Sequence, residues 1–258
     1  MIDWDETYAA IWRSKKAILK EVKEVDSISL DTLVGIEIQK KQIVDNTKAF
    51  IKNLTCNNVL LWGARGTGKS SLIKAVFNEY KKDGLRLIEF AKEDLHDLPE
   101  IIDELRELPY KFIIFCDDLS FEDGDNSYKG LKPILEGSIE LPPSNVLIYA
   151  SSNRRHLVTE YQKDNHLTVV SDTEIHYGDA VEEKISLSDR FGLWISFYQG
   201  SFADYLLIVD AYFKDIVCDK EELHKQAKIF ATYRASRSGR TAKQFYNFYS
   251  QILSEQKA

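Results

Sequence analysis

Asn58-Val59-Leu60-Leu61-Trp62-Gly63-Ala64-Arg65-Gly66-Thr67-Gly68-Lys69-Ser70 is the stretch from which the rest of the chain can be read. Its second half fits G-x-x-x-x-G-K-[ST], with Gly63, Gly68, Lys69 and Ser70 in the fixed positions. Gly63 and Gly68 free the backbone for conformations that a Cβ would forbid, so consecutive N–H groups can turn inward on a phosphate. Ala64, Arg65, Gly66 and Thr67 complete that cradle, and Ser71 follows it in the first helical turn. Lys69 brings a cation to the β- and γ-phosphates, and the Ser70 hydroxyl can ligate Mg²⁺. The flanks agree. Val59–Trp62 is a short apolar run that reads as a buried strand, and Ser70–Tyr80 carries Leu72, Ile73, Val76, Phe77 and Tyr80 at helical spacing. The loop therefore meets a helix N-terminus, where free N–H groups and the positive dipole end attract an anion. The stretch predicts nucleotide binding.

A chain of 258 residues, 44% hydrophobic and 29% charged, can bury a sizeable core. The net charge of −7 argues against a globally basic nucleic-acid binder, and no strong nucleic-acid signal stands out. Cys56, Cys116 and Cys218 lie far apart, with no zinc or disulfide spacing, and read as small apolar residues in a reducing compartment. No apolar run approaches the roughly 18 residues of a membrane span. The acidic start Met1-Ile2-Asp3-Trp4-Asp5-Glu6 is unlike a signal peptide. The expectation is a soluble, cytoplasmic protein with no membrane partner.

Outward from the loop, the chain alternates. Residues 5–25 place Tyr8, Ile11, Trp12, Ile18, Leu19 and Val22 near helical spacing, which predicts an N-terminal helix within residues 1–27. A second helix is expected over 36–53. After the phosphate loop, strands are predicted at Leu85–Phe90, Phe112–Cys116, Asn145–Ser151 and Leu193–Phe197, with helices near 94–107 and 128–136 between them. Short β-branched runs separated by amphipathic helices imply an α/β fold, a parallel sheet covered on both faces, over residues 28–199. Residues 161–185 are polar and aperiodic and read as a surface insertion; His166 and His176 within it lack metal-site spacing. After Gly200 the pattern is purely helical, with helices expected at 201–217, 219–232 and 240–254, a small helical lid domain over 200–258.

Phosphoryl transfer also needs a metal-holding carboxylate and a group that positions water. Asp117, at the end of the apolar run Phe112–Cys116, is the candidate metal ligand beside Ser70. Asp118 is the candidate to polarise the attacking water, with Glu122 a weaker substitute. Asn153, beyond the strand ending at Ser151, is a neutral amide suited to touch a γ-phosphate or orient water. Arg154 and Arg155 follow it, Arg190 precedes the last strand, and Arg240 falls in the first turn of the last helix. A cation is disfavoured there by the helix dipole unless an anion is near.

Taken together, these residues resemble an AAA+ ATPase over about residues 28–254. Gly63–Ser70 is similar to Walker A, Phe112–Asp118 to Walker B, Asn153 to sensor 1, and Ser238-Gly239-Arg240 to sensor 2 on the lid. Leu33-Val34-Gly35 resembles the segment that lines the adenine pocket. Asp189-Arg190-Phe191 resembles the region of the arginine finger, with Arg154/Arg155 the other candidates. More narrowly, W-G-A-R-G-T-G-K-S, F-C-D-D-L-S-F-E, S-S-N-R-R-H-L and L-S-D-R-F-G-L resemble a bacterial family catalogued as a domain of unknown function (DUF815-like). The resemblance implies ATP and Mg²⁺ as ligands, catalytic roles for Asp118, Asn153 and Arg190, and a homo-oligomer, a ring or a dimer, with shared sites. The superfamily usually has Asp-Glu where this chain has Asp117-Asp118, so its carboxylate is one methylene shorter.

Three function classes compete: an ATPase that remodels an unidentified partner, a nucleotide-gated binding module with little turnover, and a P-loop small-molecule kinase. No N-K-x-D or L-S-G-G-Q stretch supports a GTPase or an ABC-type ATPase. The kinase would leave the C-terminal helices without a use. The insertion and the N-terminal segment are the expected places for a macromolecular partner.

Overall fold

The computed structural model describes residues 2–121, 125, 127–137, 139–155, 157 and 186–255. The expected insertion at 161–185, with its two histidines, and Glu122 lie outside the described residues.

Among the described residues, seven strands form one sheet: β1 (Ala9–Arg13), β2 (Ile18–Glu21), β3 (Val59–Gly63), β4 (Leu85–Phe90), β5 (Lys111–Cys116), β6 (Val146–Ser152) and β7 (Leu193–Phe197). Their spatial order is β2-β1-β4-β5-β6-β3-β7, parallel throughout except for the β1–β2 pair. The inner strands are buried on both faces, as an all-parallel arrangement requires, and their side chains sort by the two-residue period. Phe112, Ile114 and Cys116 of β5 face one core with Ile88 and Phe90; Ile113 and Phe115 face the other with Leu61 and Tyr149.

Helices cover both faces. α1 (Glu37–Ile51) and α2 (Lys69–Tyr80) pack Ile43, Phe50, Leu72, Ile73, Val76 and Phe77 on one side. On the other, α3 (Leu98–Arg106) and α4 (Lys132–Glu136) bring Ile101, Ile102, Leu105 and Ile134. Three C-terminal helices, α5 (Phe202–Tyr212), α6 (Lys220–Tyr233) and α7 (Gly239–Glu255), have their own core of Tyr205, Val209, Phe213, Leu223, Ala227 and Phe245. α5 opens with a capping box between Ser201 and Asp204, and Asp219 caps α6 through the Glu221 and Glu222 amides. α5 stops at Tyr212, short of the expected 217, and Phe213, which follows it, is buried in this core against the Phe245 ring, 5.8 Å away. Among the described residues no helix is long and apolar enough to cross a membrane.

The N-terminal helix expected over 5–25 is corrected: the segment is a β-hairpin, β1 and β2, added beyond β4. The apparent helical spacing came from two short strands read as one run, separated by a turn in which Ala17 takes φ 48°. Ala9 points into one core and Ala10 and Trp12 into the other, so tertiary pairing overrides the local pattern. Trp12 stacks on Phe90 at 6.0 Å and donates its indole N–H to Asp97 at 2.9 Å. Arg86 ties down the chain before the hairpin. Its guanidinium is buried, donates to the Trp4, Lys81 and Leu85 carbonyls, and lies between the Tyr8 and Tyr110 rings, 4.7 and 4.2 Å from their centroids.

Candidate nucleotide site

The C-terminal ends of β3, β6 and β5 are neighbours in the sheet; β3 runs into the glycine-rich loop, β6 ends in Ser151-Ser152, and β5 is followed by Asp117. This edge of an open parallel sheet is where ligands bind, because the chain there turns into loops and helix N-termini. At β3, Gly63 takes φ +126°, and a Cβ on it would stand 1.9 Å from the Phe197 carbonyl oxygen of β7. Only glycine lets the loop leave the sheet at that point. The loop then runs into α2, whose first residue is Lys69.

Lys69 is buried, 7% exposed. Its ammonium donates to the Gly63 and Ala64 carbonyls at 2.9 and 2.8 Å and to Asn153 Oδ1 at 3.2 Å. Burial pushes its pKa down to about 8; Asp117 and Asp118 pull upward, and the Arg240 and Arg65 charges push further down. The Ser70 hydroxyl donates to Asp117 Oδ1 at 2.6 Å. Asn153 Nδ2 donates to Asp118 Oδ1 at 2.5 Å, so one amide joins Lys69 to the second acid. Both carboxylates are exposed: they emerge at the strand end into solvent rather than remaining in the core.

The donors present fit Mg²⁺. A hydroxyl and one carboxylate are hard oxygen ligands, and this ion keeps several waters and takes its other ligands from phosphates. Consistent with that incomplete set, no group of three or more His, Cys, Asp or Glu side chains among the described residues is placed to hold a metal alone.

The segment before α1 reaches the loop through Ile36, whose Cδ1 lies 3.8 Å from where a side chain on Gly68 would begin; Val34 and Gly35 directly precede it. The C-terminal helices touch the loop as well. The Arg240 amide donates to the Gly66 carbonyl at 3.3 Å, and a Cβ on Gly66 (φ +75°) would meet Ser238 Oγ at 2.9 Å. Ser238 is held by Ser236 and Thr241 in a buried cluster of hydroxyls.

Arg190 is not brought to this cluster. It precedes β7, at the start of the strands, while the phosphate loop leaves their ends; five strand residues put about 16 Å between the two edges. Its guanidinium pairs with Glu136 of α4 at 2.5 Å and with the Ser186 hydroxyl. Arg155 lies over the Trp62 ring, 5.5 Å from its centroid, and Arg154 Nη1 is buried without a hydrogen-bond partner among the described residues.

Sequence reasoning missed Ser151, whose hydroxyl donates to Asp117 at 2.5 Å, and the contact of Ser238 with Gly66. The first had a readable signal, a hydroxyl at the end of the apolar run Val146–Ala150, two residues before Asn153. The second joins residues distant in sequence and had none.

A family model described as "Protein of unknown function (DUF815)" matches residues 5–252. No curated protein sequence matches the chain. Among solved structures, Thermotoga maritima RuvB, described as a Holliday junction branch migration motor, aligns with a TM-score of 0.59 at 15% identity, over 90% of this chain and 67% of that one. A point variant of that RuvB gives 0.62 at 16% identity, over 91% and 69%. At such identity the likeness is one of fold.

Proposed function

The chain belongs to the DUF815 family and has the AAA+ P-loop ATPase fold, and from that premise we propose that it binds ATP with Mg²⁺ and hydrolyses it to drive a conformational change. The hydrogen-bonded set Lys69–Asn153–Asp118 beside Ser70–Asp117, gathered at three adjacent strand ends, is the observation that carries this reading. Residues 28–199 form the nucleotide-binding unit and 200–258 the lid. Backbone N–H groups from Gly63 to Ser71 cradle the phosphates, with Lys69 on the β/γ side. Val34 and Gly35 border the adenine. Ser70 and Asp117 would hold the metal, which supplies charge neutralisation and orientation of the β- and γ-oxygens. Asp118 accepts the proton of the attacking water, and Asn153 orients that water while keeping its amide on Asp118. Arg240, moving with the lid, answers to the γ-phosphate. Arg190 serves the site of a neighbouring copy, which makes the working unit a homo-oligomer.

Two variants test this. Lys69→Ala abolishes ATP binding, read with a fluorescent nucleotide; unchanged affinity would remove the phosphate-loop assignment. Asp118→Asn retains binding and loses hydrolysis by about 10²-fold or more. Equal turnover would move the base role elsewhere. A specific observation favours a slower variant of the same reading, a nucleotide-gated module. Asp118 has a shorter reach than the usual glutamate and is held back by Asn153 at 2.5 Å.

A further inference from the structure

At the end of β6 the Ser151 hydroxyl is buried, with the residue 2% exposed. Its Oγ donates to Asp117 Oδ1 at 2.5 Å and accepts the Asp118 backbone N–H at 3.2 Å. Its carbonyl accepts the Leu119 N–H at 2.7 Å. One residue thus grips three consecutive residues of the turn that follows β5. A buried hydroxyl needing only a partner for itself would be satisfied by one carbonyl; this one spends its donor and its acceptor on the two acidic residues. Asp118 needs such a grip. It stands at φ +52°, a left-handed conformation that non-glycine residues keep only when their surroundings hold it. Asn153, one residue past the end of β6, donates its amide to the Asp118 carboxylate at 2.5 Å. The backbone of Asp118 is therefore held from the end of β6 and its side chain from the residue just beyond it.

We propose that Ser151 is a positioning residue that sets both acids of the site: it holds the Asp117 carboxylate beside Ser70 for the metal, and holds the turn that aims Asp118. The inference rests on the nucleotide and Mg²⁺ reading above and adds a residue that the reading does not use. A partner that orients a metal-binding carboxylate without touching the metal typically changes metal affinity by 10- to 100-fold when removed.

The test uses the full chain as wild type and as Ser151→Ala, Ser151→Thr and Ser151→Cys. Mn²⁺ binding is followed by electron paramagnetic resonance with a non-hydrolysable ATP analogue. Analogue affinity is measured separately in chelator, without metal, and hydrolysis is measured against Mg²⁺ concentration. Ser151→Ala should weaken Mn²⁺ about tenfold and lower kcat about tenfold, with metal-free analogue affinity within twofold and an unchanged melting temperature. Ser151→Thr, which keeps the hydroxyl, should recover metal affinity; Ser151→Cys, close in volume but a weak donor, should behave like Ser151→Ala. Wild-type Mn²⁺ affinity in Ser151→Ala, or an Ala variant that loses metal-free and metal-dependent binding alike, would overturn the positioning role. A wild-type chain with no nucleotide-dependent Mn²⁺ binding would overturn the nucleotide reading, and this inference with it.

Discussion

Lys69 carries its charge in a buried position, and the cost is visible in a pKa lowered to about 8 by burial against the pull of Asp117 and Asp118. The ordinary value is 10.5, so between about pH 8 and 10.5 the unfolded chain holds more of this proton than the folded one. Stability from this group therefore rises as pH rises through that window. On the proposed function the sign for binding is the reverse. A triphosphate favours the charged ammonium and raises its pKa, so ATP taken up at pH 8.5 should bring a proton with it. Calorimetry in two buffers of different ionisation enthalpy should give different heats at pH 8.5, where the phosphates themselves are fully ionised. Lys69→Arg should remove the difference, since guanidinium does not titrate there. Equal heats in the two buffers in the wild type would place the charge elsewhere. The strand–loop–helix setting of Gly63–Ser70 was legible in the sequence, and β3 and α2 flank the loop as expected. The close approach of Phe197 to Gly63 was not, because it joins residues of two strands far apart in the chain.

At the scale of elements, the alternation of apolar runs and helices read correctly from β3 onward, since strands buried on both faces leave a continuous signature. The N-terminal segment failed for the converse reason. β1 and β2 are five and four residues long, too short to show their own period; β2 pairs with β1, and β1 pairs with β4, more than seventy positions later. Arg190 lies just before β7, as expected, but its pairing with Glu136 could not be read, as α4 lies more than fifty positions upstream. That pair bears on the proposed trans role: the guanidinium must leave Glu136 before it can meet a neighbour's phosphate. Glu136→Gln should then raise turnover by a few-fold where hydrolysis depends on assembly. A mixture of the inactive Arg190→Ala and Asp118→Asn chains should recover part of the activity. Confirmed co-assembly with no recovery would exclude a shared site.

For the molecule as a whole, the three C-terminal helices have their own core yet reach the loop after β3 through the Arg240 amide on the Gly66 carbonyl. On the proposed function, a change in the loop would pass to the three helices through this contact. The partner class is addressed by measuring ATPase rate against protein concentration, with and without duplex DNA or unfolded protein. A rate per chain that rises with concentration supports assembly, and stimulation by one addition identifies the class of partner. A flat, unstimulated rate would favour the gated module.

The hairpin has a colloidal consequence. β2 ends the sheet as a four-residue exposed edge, with Lys15, Lys16 and Lys20 in water around it, a form of edge that resists pairing with another chain. Without it, β4 would become the border: six residues, five of them buried in the intact sheet, offering unpaired backbone N–H and C=O groups. A chain lacking residues 1–25 should therefore lose solubility before it loses helical content. Light scattering during mild heating should rise at a lower temperature than in the intact chain, while circular dichroism still reports the helices. If the shortened chain stays clear, the hairpin has a role other than closing the sheet.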